Sequence, residues 1–195
     1  MKRTDLDLPQ VSATRRDFLR AASALAVLGS MPATCGPAAA AGQEMKPVVI
    51  RGHHLFDMLD ALGKGRSDHK TLGPVALRIR ANPKVPIKLV VGVDDICGPC
   101  QWWDHKKGLC TRSLEKYPRD NEDSLACDRN AIRVLGMKPG DMVPAAELYR
   151  LIKAKVTKKV FAEEVCVACR LVNKCKETYE PKIEAAVKAL AAPHA

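Results

Sequence analysis

Six of the eight cysteines in this 195-residue chain fall into two groups of one form. The first is Cys97-x2-Cys100-x9-Cys110, and the second is Cys166-x2-Cys169-x5-Cys175. A Cys-x-x-Cys turn lets two sulfurs face one point, because the short loop between them can aim its amides at the same place. Thiolates so placed suit zinc or an iron–sulfur cluster. One such pair is a weak signal. Two pairs, each followed closely by a third cysteine, make metal binding the leading explanation. Cys127 stands between the groups. It brings the cysteines beyond the N-terminal segment to seven, an odd number that leaves a thiol over in any purely disulfide framework.

Spacing alone leaves three explanations open. An iron–sulfur cluster suits the sulfur-rich sets. A structural zinc ion needs four ligands, and the two Cys-x-x-Cys pairs could supply them. The 65 residues between those pairs far exceed the roughly 15–20 of a zinc ribbon. A disulfide framework needs no metal and an oxidising compartment.

The N-terminus addresses that compartment. Arg15 and Arg16 are adjacent, Phe18 and Leu19 follow, and a mildly apolar, small-residue stretch runs to Ala41. This pattern resembles a twin-arginine export signal, with Ala39-x-Ala41 suited to cleavage before Gly42. Residues 1–41 are therefore expected to be a signal peptide that takes Cys35 with it. Residues 42–195 are expected to be one metal-binding domain in the periplasm or beyond the cytoplasmic membrane. Twin-arginine export carries proteins already folded in a reducing cytoplasm, so the cysteines would meet metal before an oxidant.

Charge and hydropathy narrow the partners. The leader's five basic and three acidic residues take two of the chain's ten net positive charges, leaving +8. A basic surface suits an acidic partner, such as a redox protein, or an anionic membrane surface, and nucleic acid is not expected outside the cytoplasm. No run of about 20 strongly apolar residues follows residue 45, so no transmembrane anchor is expected after cleavage. Hydrophobic residues make up 47% of the chain, too many for a wholly disordered one. Aromatics are only 4%, so the core lacks its usual large fillers. A bound metal would help such a domain: a structural zinc site contributes on the order of 10 kcal/mol.

Periodicity predicts an α+β fold, a small and mainly helical domain with a few short strands and two cysteine-rich loops. Pro47 to Ile50 reads as a strand, and so does Ile87 to Val93. His53 to Leu62 reads as a helix with Leu55, Met58, Leu59 and Leu62 on one face, ended by Gly63-Lys64-Gly65. Further helices are predicted over 72–81, 122–135, 144–156 and 181–191. Residues 94–118 read as a loop.

Other groups offer ligands or rival chemistry. His53 and His54 are adjacent, and a regular helix turns neighbours about 100° apart, which argues against both binding one ion. His53 and Asp57 are one turn apart and could share a site. Cys97-Gly98-Pro99-Cys100 is the dithiol sequence of thioredoxins and follows a predicted strand. The polar, Gly-ended stretch after it is not the long apolar helix that such an enzyme uses to lower its first thiol's pKa. Gly63-Lys64-Gly65-Arg66-Ser67 lacks phosphate-loop spacing and reads as a turn. Trp102 and Trp103 are expected to cover the first cysteine group.

Arg51-Gly-His-His-Leu, Gly63-Lys-Gly-x-Ser67, Asp94-Asp-Ile-Cys97-x-x-Cys100, Cys110, Cys166-x-x-Cys169 and Cys175 together resemble a known set. It is similar to the bacterial and archaeal family called domain of unknown function 1284, over about residues 47–176. The resemblance implies a small mixed domain linked with iron–sulfur binding and without an established reaction. It also implies a cysteine, in many members, where this chain has Asp57, and commonly no counterpart of Cys127. The expectation is an exported iron–sulfur protein, with a [4Fe-4S] cluster or alternatively zinc, acting in electron transfer or redox sensing. Its leading ligands are Cys97, Cys100, Cys110, Cys166, Cys169 and Cys175, with Cys127, His53, His54 or Asp57 completing the set. No Ser/His/Asp or paired-carboxylate arrangement for hydrolysis is evident. The alternatives are a structural zinc- or disulfide-stabilised binding module and a thioredoxin-like oxidoreductase.

Overall fold

The β-branched run Val48-Val49-Ile50 forms strand β1 (Val48–Arg51), as its propensity requires. In the computed structural model, which describes residues 45–192, β1 pairs in parallel with β2 (Pro86–Val90), Ile50 opposite Leu89. The export-signal reading, Cys35 included, lies outside the described residues. Parallel strands need a crossover. Helices α1 (His54–Asp57), α2 (Leu59–Lys64) and α3 (Leu72–Ala81) supply it. A short third strand, β5 (Met142–Pro144), adds antiparallel to β2, giving the order β1-β2-β5.

The helix expected at His53–Leu62 is two short helices joined at Met58, and it runs on to Lys64. Gly65, not Gly63, takes the left-handed conformation that ends it (φ 69°). Gly63 stays inside the helix because α8 (Tyr179–Ala191) crosses it: a β-carbon there would lie 2.9 Å from that of Ala185. Helix α4 (Asp120–Leu135) begins two residues before its expected start, with three acidic residues in its first turn, and ends at Gly136 as expected. Helix α5 (Ala145–Lys155) follows β5 directly. The expected loop 94–118 contains a small hairpin, β3 (Trp103–Asp104) with β4 (Leu109–Cys110), turned at left-handed Gly108.

One aliphatic core joins these elements, with Ile50, Ile87, Leu89, Leu62, Ile132 and Ile152 almost wholly buried. Four of the few aromatics, Phe56, Tyr149, Phe161 and Tyr179, are buried in it. Tyr149 Oη donates to the Leu55 carbonyl (3.1 Å) and ties α5 to α1. Phe56, Phe161 and Tyr179 stack together, Phe161 and Tyr179 nearly parallel at 4.6 Å. They form one wall of the site described next. Among the described residues no helix is long and apolar enough to cross a membrane.

Candidate metal centre

The two cysteine groups are built the same way. In each, the second cysteine's amide donates to the first cysteine's carbonyl, Cys100 to Cys97 at 2.9 Å and Cys169 to Cys166 at 2.8 Å. Each turn repeats three residues on, with Trp103 N–H to Cys100 and Val172 N–H to Cys169. The spacing therefore encodes the same tight turn twice. All seven cysteines from Cys97 onward are free thiols.

The groups line different cavities. Cys97, Cys100 and Cys110 share a cavity of about 630 Å³ with His54 and Asp57. The β3–β4 hairpin returns Cys110 toward Cys100 by pairing it with Trp103. Cys166, Cys169 and Cys175 line a second cavity of about 260 Å³, and Cys127 of α4 joins them there. A single turn of π-helix, Phe161–Val165, precedes Cys166 and sets its position; such turns recur at functional sites. Helix α6 (Lys158–Val160) leads into it and α7 (Val172–Lys176) carries Cys175. Phe56, Phe161 and Tyr179 give this second cavity an apolar wall. Arg170 links the two loops: its guanidinium pairs with Asp120 (3.0 Å), bonds Ser113 and lies over the Tyr117 ring.

Trp102 is 43% exposed and flanks Cys100 along a shallow groove. Its exposure differs from the cover expected of it, while Trp103, paired with Cys110 in the hairpin, is half-buried. The thioredoxin-like reading also meets a geometric obstacle. Cys97 leads into turns, not a helix N-terminus. Burial and the Asp94 carboxylate push its thiol up to about 12, despite Arg51 Nη1 at 3.7 Å. A nucleophilic thiol needs the opposite shift.

Between the cavities lies a polar network that sequence reasoning missed. Arg51 and Asp128 are 2% and 0% exposed, and Asp94 is also buried. Asp128 Oδ2 accepts from Arg51 Nε (2.8 Å) and the Gly92 amide (3.1 Å). Its Oδ1 accepts from the His53 amide (3.0 Å) and meets His53 Nδ1 at 2.8 Å. Asp94 Oδ1 accepts from the Ile96 and Cys97 amides, while its Oδ2 accepts from the Arg51 amide and meets His54 Nδ1 at 2.8 Å. Arg51 Nη2 is also 2.8 Å from Asp128 Oδ2 but makes no well-angled hydrogen bond. Gly52 is required here, since a β-carbon would stand 2.4 Å from the Asp128 carbonyl oxygen.

Each group's charge follows from these partners. Burial would raise Asp94, but His54 and the backbone donors bring it down to about 2. Asp128 is lowered against the same burial by His53 and Arg51. Burial would lower His53, yet its hydrogen bond to Asp128 leaves it above its ordinary value. The Cys127 and Cys166 thiols interact directly, which lowers Cys127 and raises Cys166.

The two imidazoles, expected to diverge, come together. Their ring centroids are 4.5 Å apart, because each is drawn round by its own carboxylate at the start of α1. Ligand atoms of His53, His54 and Asp57 lie within 4.8 Å of one another, as do those of His54, Asp94 and Cys97. Asp128 did leave a signal in the sequence: it is a lone carboxylate on the otherwise apolar face Cys127, Ala131, Ile132 and Leu135 of α4.

Fold and site thus define a small α+β domain with two cysteine-lined cavities, able to bind metal, on either side of a buried arginine–aspartate–histidine network. The chain belongs to the family described as Protein of unknown function (DUF1284), whose model matches residues 69–175, more than half of the chain. The match takes in all seven of these cysteines, Asp94 and Asp128, and begins after Arg51, His53 and His54. No match is found among curated proteins or solved structures.

Proposed function

We propose that this protein holds a [4Fe-4S] cluster on Cys127, Cys166, Cys169 and Cys175 and serves in electron transfer or redox sensing outside the cytoplasm. The observation that carries this reading is the convergence of four cysteines on one apolar-walled cavity. Four thiolates are the ordinary complement for such a cluster, and an apolar wall with partial burial tunes its potential. Tetrahedral zinc, with Zn–S near 2.3 Å, sets its sulfurs about 3.8 Å apart. A [4Fe-4S] cluster spreads its four sulfurs more widely, and a cavity of about 260 Å³ has room for one.

Asp57 and Cys127 line the same cavity. The family resemblance implies a cysteine at the position of Asp57, so Cys127 restores the missing thiolate from across the cavity. Among the described residues the first group's cavity holds no fourth thiol; its other possible ligands are histidines and aspartates, His54 and Asp57 among them. One four-thiolate centre is therefore the reading. Val167 and Leu171, 61% and 45% exposed, flank the second group beside Arg170 and Lys174, a surface suited to an acidic redox partner.

Two substitutions test the ligand set. In anaerobically prepared protein, Cys127→Ser should lose the cluster's visible absorption and most of its iron, while Cys100→Ser should keep both. The reverse pattern would move the centre to the first group. Export is tested by replacing Arg15 and Arg16 with lysine, which should trap the protein in the cytoplasm; unchanged localisation would reject the twin-arginine reading.

A further inference from the structure

We propose that His53, His54 and Asp57 form a mononuclear site for a divalent transition-metal ion, adjoining the thiolate centre, whose cavity His53 and Asp57 also line. His53 Nε2 and Asp57 Oδ2 are 4.0 Å apart, and the three residues' ligand atoms lie within 4.8 Å of one another. Small side-chain rotations close that distance around an ion.

The stronger indication is how the imidazoles are held. Each Nδ1 is 2.8 Å from a different fully buried carboxylate, Asp128 for His53 and Asp94 for His54. Such a bond places the proton on Nδ1 and leaves the Nε2 lone pair free, the tautomer that a metal requires. The carboxylates cannot swing away, because Asp128 is fixed by Arg51 and two amides, and Asp94 by three amides. Two carboxylate–histidine pairs side by side are more than packing two histidines needs.

The third member differs in kind. Asp57 is 55% exposed, and His53 is its one ion-pair partner among the described residues. It costs little to redirect. His54 and Asp57 both line the larger cavity, so further coordination positions would open onto it. Two imidazoles and one carboxylate with open positions suit a first-row divalent ion, with iron(II) and zinc the natural candidates.

Manganese(II) is the probe, because it favours nitrogen and oxygen donors and the thiols compete poorly for it. The reduced full-length protein would be titrated anaerobically, with free Mn(II) followed by electron paramagnetic resonance. The expected result is one saturable equivalent per chain whose bound signal shows nitrogen coupling. Asp57→Asn, a change at an exposed position, should weaken it at least tenfold at an unchanged urea midpoint. His53→Ala should abolish it, and Cys166→Ser should leave it intact. No saturable binding, bound manganese without nitrogen coupling, or binding unaffected by Asp57→Asn would each overturn the site. The iron–sulfur reading does not enter this assay, so either can fail alone.

Discussion

Asp128→Asn tests the network that positions the site. The carboxylate is 0% exposed and takes four hydrogen bonds, from Arg51 Nε, the Gly92 amide, and the amide and ring of His53. Asparagine keeps the shape and loses the charge. Its amide nitrogen must also face donors on one side, either Arg51 with Gly92 or His53. The Arg51 guanidinium then remains buried without its counter-ion. Removing one partner of a buried ion pair costs about 3–5 kcal/mol, a large part of a domain's typical total of about 5–15. With a urea m-value near 2 kcal/mol/M, the midpoint should fall by about 1.5–2.5 M. The assay is urea unfolding of reduced protein followed by circular dichroism. Replacing both charges, Arg51→Met with Asp128→Asn, should recover at least about 2 kcal/mol of the loss, because an unpaired charge causes most of it. A midpoint shift under about 0.5 M, or additive losses in the double variant, would refute the reasoning.

Further outcomes follow from the same structure. Asp94 is held at about 2 against an ordinary 3.8, a difference worth on the order of 2 kcal/mol. A lowered carboxylate stabilises the fold above its unfolded pKa, so that stability should be present above about pH 4 and fade as pH falls through about 2; a flat urea midpoint over that range would contradict it. Gly52→Ala forces a β-carbon onto the Asp128 carbonyl and should cost about 2–3 kcal/mol, seen as a lowered thermal midpoint. In reduced, metal-free protein at pH 8, iodoacetamide should modify Cys97 more slowly than the more exposed Cys100, read by peptide mass spectrometry. Equal rates would show that Cys97 is neither buried nor raised.

What could be read from the sequence was local. Apolar periodicity located α2 to α5 and α8 to within a few residues, and the repeated Cys-x-x-Cys spacing encoded the repeated turn. The strand β5 was missed because three residues carry too little pattern, and it exists only by pairing with β2. The buried network was missed for a similar reason. Arg51 and Asp128 are 77 positions apart, and nothing near either one announces the other. The assignment of Cys127 to the second group also depends on where α4 lies against the π-turn, a tertiary fact. Adjacent histidines looked divergent from helix geometry alone, and the long-range aspartates turned them together.

The central claim is a four-thiolate iron–sulfur centre in the cavity of Cys127, Cys166, Cys169 and Cys175. Iron and acid-labile sulfide, counted together in anaerobically purified protein, test it most directly. The expected result is a brown protein with about four of each per chain in the cluster, as a [4Fe-4S] centre requires. A colourless protein with stoichiometric zinc and no labile sulfide would contradict the account.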